Sequence, residues 1–120
     1  MFELQATLDG AQQANASGPA PVTTSASGTF VGTYDSKTSD LTYTITFTGL
    51  TPTNAHIHTG APGIAGPVTI RFLQFAVSPI TGTYKCSPAV ADDLLNNRMY
   101  VNIHTTAYSG GEIRGDIKQK

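Results

Sequence analysis

The chain has 120 residues, enough for one domain with a real core, and a net charge of −1 with only 12% charged residues. That balance excludes a basic stripe for nucleic acid and an acidic or basic interaction tail. No apolar run approaches the length of a membrane-spanning helix. The opening MFELQATL has neither the basic region nor the long apolar region of a signal peptide.

Phe2, Leu4, Ala6 and Leu8 alternate with polar residues and predict a first strand, closed by Asp9-Gly10. A loop of small residues follows through Pro19 and Pro21. From Val22 to Tyr34 the chain is rich in Ser, Thr and Gly, with Thr24, Ala26, Gly28, Phe30, Gly32 and Tyr34 on one face. After a polar turn at residues 35–40, Leu41-Thr42-Tyr43-Thr44-Ile45-Thr46-Phe47-Thr48 is the clearest strand. Four apolar side chains face one way and four threonines the other, the pattern of a sheet with one face on the core and one in water.

Ala55-His56-Ile57-His58-Thr59-Gly60 comes next. In a strand, residues i and i+2 share a face, so His56 and His58 project side by side, roughly 6–7 Å apart at the backbone. Residues 59–67 hold three glycines and two prolines and form a loop. It lacks the GK[ST] of a phosphate-binding fingerprint. Val68, Ile70 and Phe72 alternate again, and residues 80–84 predict a further short strand. Residues 88–97 form the one helix candidate, with Ser87 as N-cap, Pro88 at the first helical position and Asn97 as a left-handed stop. Cys86, the only cysteine, cannot form an intrachain disulfide; it reads as a half-buried residue beside the helix start, a free thiol or an intermolecular bridge. Met99, Val101 and Ile103 predict the core side of another strand, with Tyr100, Asn102 and His104 on its outer side. Residues 112–117 predict the last strand, Ile113 and Ile117 inward and Glu112, Arg114 and Asp116 outward, paired with its predecessor as a hairpin.

Seven or eight short one-sided strands with one small helix predict an all-β fold, an antiparallel Greek-key β-sandwich. FELQATLDG, LTYTITFTGL, AHIHTGAPGIAGPV and MYVNIHTTAYSGGEIRGDI together resemble the CHRD (chordin-type) domain, over nearly the whole of residues 1–120. The resemblance implies a single domain with an immunoglobulin-like or superoxide-dismutase-like sandwich, in a secreted or cell-envelope (periplasmic) setting. The His56-Ile57-His58 strand also has a distant likeness to the copper strand of Cu,Zn superoxide dismutase, in which a late-strand histidine completes the copper ligands and an arginine lies near the open face. His56, His58 and His104 match those ligand roles and Arg114 the arginine. The departures are a missing fourth histidine to bridge to zinc, a loop from Thr59 to Pro67 without His or Asp, and the lone Cys86 in place of a loop disulfide.

A lone histidine in such a strand is ordinarily a polar residue hydrogen-bonded to backbone. Three of them, the whole complement of the chain, all on polar registers, point instead to a metal site. Three imidazoles suit copper first and zinc second. Tyr100, Asn102 and Glu112 are the expected partners for the second ring nitrogens. Glu112 and Arg114 form either a surface ion pair, worth ~0.2–1 kcal/mol, or an edge from which Arg114 guides an anion to the metal. Three functions are weighed. The first is an exported copper-binding protein for storage, delivery or redox protection. The second is a metal-free extracellular interaction or scaffolding module, met by another protein. The third is a copper-only dismutase or related oxidoreductase.

Overall fold

The computed structural model describes residues 1–120. In chain order the elements are β1 (Phe2–Leu8), β2 (Ala14–Asn15), β3 (Gly18–Pro19), β4 (Ser27–Asp35), β5 (Asp40–Thr48), β6 (Asn54–Thr59), β7 (Val68–Arg71), β8 (Ile80–Lys85), α1 (Pro88–Leu95), β9 (Met99–His104), β10 (Ile113–Asp116) and β11 (Lys118–Gln119). Eight strands have four or more residues, as the periodicity predicts. The two-residue pieces β2, β3 and β11 are too short to carry a period and are unexpected.

Two antiparallel sheets face each other, one in the order β11-β1-β4-β5-β8 and the other in the order β10-β9-β6-β7. After β5 the chain crosses to lay down β6 and β7, returns to place β8 beside β5, and crosses again through α1 to place β9 beside β6. These returns to an earlier strand across the sandwich give the Greek-key connectivity. The core is one cluster of 21 buried residues from both inner faces, including Leu4, Leu8, Phe30, Leu41, Ile45, Ile57, Val101, Ile103 and Ile113. At one corner Asp9 and Arg114 exchange backbone hydrogen bonds of 3.1 and 2.9 Å, which ties the end of β1 to β10 and closes the sandwich there.

The helix forms as its caps predict. The Ser87 hydroxyl accepts from the Val90 N–H at 3.2 Å, Pro88 opens the first turn, and Asn97 stops the helix with φ of 61°. Its end is fastened by Arg98, which donates to Asp93 at 2.8 Å and Asp92 at 2.6 Å. The two aspartates thus anchor the helix end to Arg98. Cys86 is a buried free thiol, and burial raises its pKa, which keeps it in the unreactive protonated form.

The two sheets treat their outer faces differently. The threonines of β5 are exposed, as expected. The outer face of β6, β9 and β10 is not in water. His56, His58, Tyr100, Asn102, Glu112 and Arg114 are all buried. The loop between β6 and β7 and the segments before β4 and after β9 fold over this face. Ala65 N–H donates to the Asn15 carbonyl, Gln13 Nε2 donates to Asn102 Oδ1 at 3.0 Å, and Thr24 Oγ1 donates to Glu112 at 2.6 Å. The outward, solvated placement expected for Glu112, Arg114, Tyr100 and Asn102 is corrected on this point. Their alternation correctly marks the face opposite the core, but three loops cover it.

Candidate metal centre

β6 and β9 pair in a register that sets Asn54 opposite His104, His56 opposite Asn102 and His58 opposite Tyr100. Side chains of one face therefore alternate across two neighbouring strands, and the three histidines fall within one patch. Their ring centroids are 5.5 Å (His56–His58), 5.1 Å (His56–His104) and 5.9 Å (His58–His104) apart. One ligand atom from each ring lies within 4.8 Å of the other two. Ligands bound at ~2.0–2.1 Å to one ion sit roughly 3–4 Å from each other, so the widest gap must close by about 1 Å.

The hydrogen bonds assign the protons. His58 Nδ1 is 2.9 Å from the Gly66 carbonyl, and His104 Nδ1 is 2.9 Å from the Ser109 carbonyl. A carbonyl only accepts, so each Nδ1 carries the proton and each Nε2 of the neutral ring carries a lone pair. His56 Nδ1 lies 3.3 Å from His104 Nε2; with the His104 proton on Nδ1 alone, His56 Nδ1 is the donor of that pair and the His56 lone pair is on Nε2. His56 Nε2 and His58 Nε2 are both buried and have no hydrogen-bond partner. A buried polar atom without a partner costs about 1–3 kcal/mol. Two such lone pairs on neighbouring rings have the donor chemistry that a metal ion takes.

Electrostatics keep these lone pairs free. Burial pushes the pKa of His56 down to about 4, aided by the nearby His104, His58 and Arg71. His58 is lowered chiefly by burial and raised in part by its bond to Gly66, with a net downward shift. Both rings are neutral at pH 7, as metal ligands must be.

The residues around the rings differ from those expected. The second nitrogens of His58 and His104 are held by the backbone carbonyls of Gly66 and Ser109, not by Tyr100, Asn102 or Glu112. Tyr100 instead stacks on His58, with centroids 4.8 Å apart and planes 7° from parallel. Its hydroxyl accepts from the Gly66 N–H at 3.0 Å. Asn102 accepts from Gln13, and Glu112 accepts from Thr24 and from Thr105 at 2.9 Å. Arg114 is 1% exposed, and its guanidinium lies 3.5 Å over the Tyr100 ring. It donates to the carbonyls of Ile64 and Ala61 and to Asp116 at 3.0 Å. It pairs with Asp116 and not Glu112, and every contact it makes is structural, so neither the surface ion pair nor the anion-guiding role fits it. Arg114 thus fastens the loop of residues 59–67, whose Gly66 sets the His58 proton. Sequence reasoning missed Gly66 and Ser109 because a carbonyl acceptor has no side-chain signature.

The family model of the CHRD domain matches residues 4–117. The chain belongs to the CHRD domain family. No curated protein matches it. In this CHRD domain residues 55–67 and 99–115 build the histidine patch: β6 with its loop, and β9 with its turn and β10. No helix is long and apolar enough to cross a membrane.

Proposed function

We propose that this CHRD domain is an exported metal-binding protein that holds one copper ion, or zinc as second choice, through His56, His58 and His104. The observation that carries the reading is the pair of buried, unpartnered Nε2 atoms of His56 and His58 beside His104. Three neutral imidazoles form a borderline donor set without sulfur or carboxylate. By the usual order of divalent affinities such a set favours Cu(II) over Zn(II). The extracellular setting rests on the family, whose members occur outside the cytoplasm. Storage, delivery or redox protection by bound copper is the function this site supports best.

The competing reading is a metal-free interaction module with structural histidines. The bonds of His58 to Gly66 and of His104 to Ser109, which tie two loops to the sheet, favour it. It leaves the two Nε2 atoms unexplained. Metal analysis after dialysis against Cu(II) separates the two. The copper reading expects one equivalent per chain, lost in His58→Ala. No stoichiometric copper, with a melting temperature indifferent to chelator, overturns it.

A further inference from the structure

We infer that the three histidines are not equivalent: His56 and His58 retain the metal, and His104 is the ligand through which metal is loaded and handed on. The inference rests on the metal reading above. It follows from how each ring is held and from what each lone pair does without metal.

His58 is fixed on several sides. Its ring stacks on Tyr100, which lies between β6 and β10 in the sheet order and carries the Arg114 cation over its ring. Its Nδ1–H donates to the carbonyl of Gly66, whose own N–H is held by the Tyr100 hydroxyl. Arg114 in turn bonds two carbonyls of the same loop. His56 sits inside β6, paired on one side with β9 and on the other with β7. Both rings are buried, at 6% and 8% exposure. His58 cannot swing away without breaking the stack and its bond to Gly66, and His56 is enclosed within a strand paired on both sides.

His104 is the last residue of β9 and is half-exposed. Its Nδ1 partner is the carbonyl of Ser109, in an exposed turn of residues 106–110. The lone pairs complete the contrast. His56 Nε2 and His58 Nε2 have no alternative partner, whereas His104 Nε2 already accepts from His56 Nδ1–H at 3.3 Å. When His104 leaves a metal, that hydrogen bond receives it, so its departure costs less than that of either other ligand.

Transfer is then a ligand exchange. A donor atom of the acceptor, oxygen or nitrogen, forms a bond to the metal as the bond from His104 Nε2 breaks, and further donor atoms of the same acceptor then replace His56 and His58 in turn, so that each bond broken is matched by one formed. No electron changes hands, and no proton is released from His104. The acceptor is a chelating group that reaches the exposed turn of residues 106–110, not one that penetrates the loop of residues 59–67.

The test uses the copper-loaded full chain with EDTA as acceptor. Copper release from the wild type is expected to accelerate in proportion to EDTA concentration. His104→Ala is expected to keep one copper per chain, with an affinity at least tenfold higher than that of His58→Ala, and to release copper faster than wild type. A release rate independent of EDTA, or a His104→Ala loss of affinity equal to or greater than that of His58→Ala, overturns the inference while leaving the copper site intact. Absence of stoichiometric copper in the wild type overturns the metal reading itself. Tyr100→Leu supplies a second measurement. Loss of the stack is expected to weaken copper by about 10-fold or more and to alter the Cu(II) electron-spin spectrum, with both changes smaller in Tyr100→Phe, which keeps the stack and loses only the hydroxyl that holds the Gly66 N–H. An unchanged spectrum and affinity in Tyr100→Leu removes the anchoring role.

Discussion

Strand β5 and the pair β6–β9 carry the same alternating pattern and meet opposite fates. Along β5, Leu41, Tyr43, Ile45 and Phe47 enter the core and four threonines stand in water. Along β6 and β9, Ala55, Ile57, Val101 and Ile103 enter the same core, yet His56, His58, Tyr100 and Asn102 on the other face are buried as well. Alternation reports only which side faces the core. The far side of β6–β9 is closed by hydrogen bonds from distant loops, and that enclosure desolvates His56 and His58 beside the half-buried His104.

Breaking the enclosure should cost far more than altering the open face. The largest effect is expected for Gly66→Ala. A Cβ there would overlap the backbone carbonyl oxygen of Thr59, which cannot move without loosening β6. We expect a loss of about 3 kcal/mol by urea denaturation, near the upper end for an overpacked site. A loss under about 1 kcal/mol would mean that the loop is not seated as described.

Acid should act next, and only on the enclosed face. Burial holds the pKa of His56 at about 4 in the folded chain, against the ordinary 6.5 of a histidine. The unfolded chain therefore binds more protons between those values. The stabilisation from neutral His56 is fully present above pH 6.5 and declines as pH falls toward 4, by roughly 3 kcal/mol at most. His58 adds in the same direction. The urea midpoint of the metal-free protein should fall between pH 7 and pH 4.5; a flat midpoint there contradicts the burial of these rings.

Glu112→Ala should cost about 1–2 kcal/mol, because it leaves the hydroxyls of Thr24 and Thr105 without their acceptor. Thr44→Ala on the exposed face of β5 should stay within about 0.5 kcal/mol. Thermal or urea unfolding of the two variants side by side checks the comparison directly, and equal losses would erase it.

The strands, the helix with its caps and the hairpin of β9 with β10 were legible because each is a local pattern: period two, Ser87-Pro88, and a short glycine-rich turn. The convergence of His56 and His58 was legible from their spacing. That of His104 followed only from its polar register and the resemblance to a family. The covering of their face was not legible, because it depends on contacts such as Gln13 with Asn102 and Thr24 with Glu112, nearly ninety residues apart. Arg114 shows the limit most plainly. An alternating strand end assigns it to solvent, and only the position of Tyr100 and the carbonyls of Ala61 and Ile64 reveals why a cation is buried there.

The central claim is that His56, His58 and His104 meet on one metal ion. The most direct measurement is a crystal structure of the copper-loaded chain with anomalous scattering at the copper edge. The account predicts one peak at about 2.0–2.2 Å from a nitrogen of each of the three histidines, with Gly66 and Ser109 still holding the Nδ1 atoms of His58 and His104. A copper peak elsewhere, or an ordered triad with no peak between its rings, would contradict it.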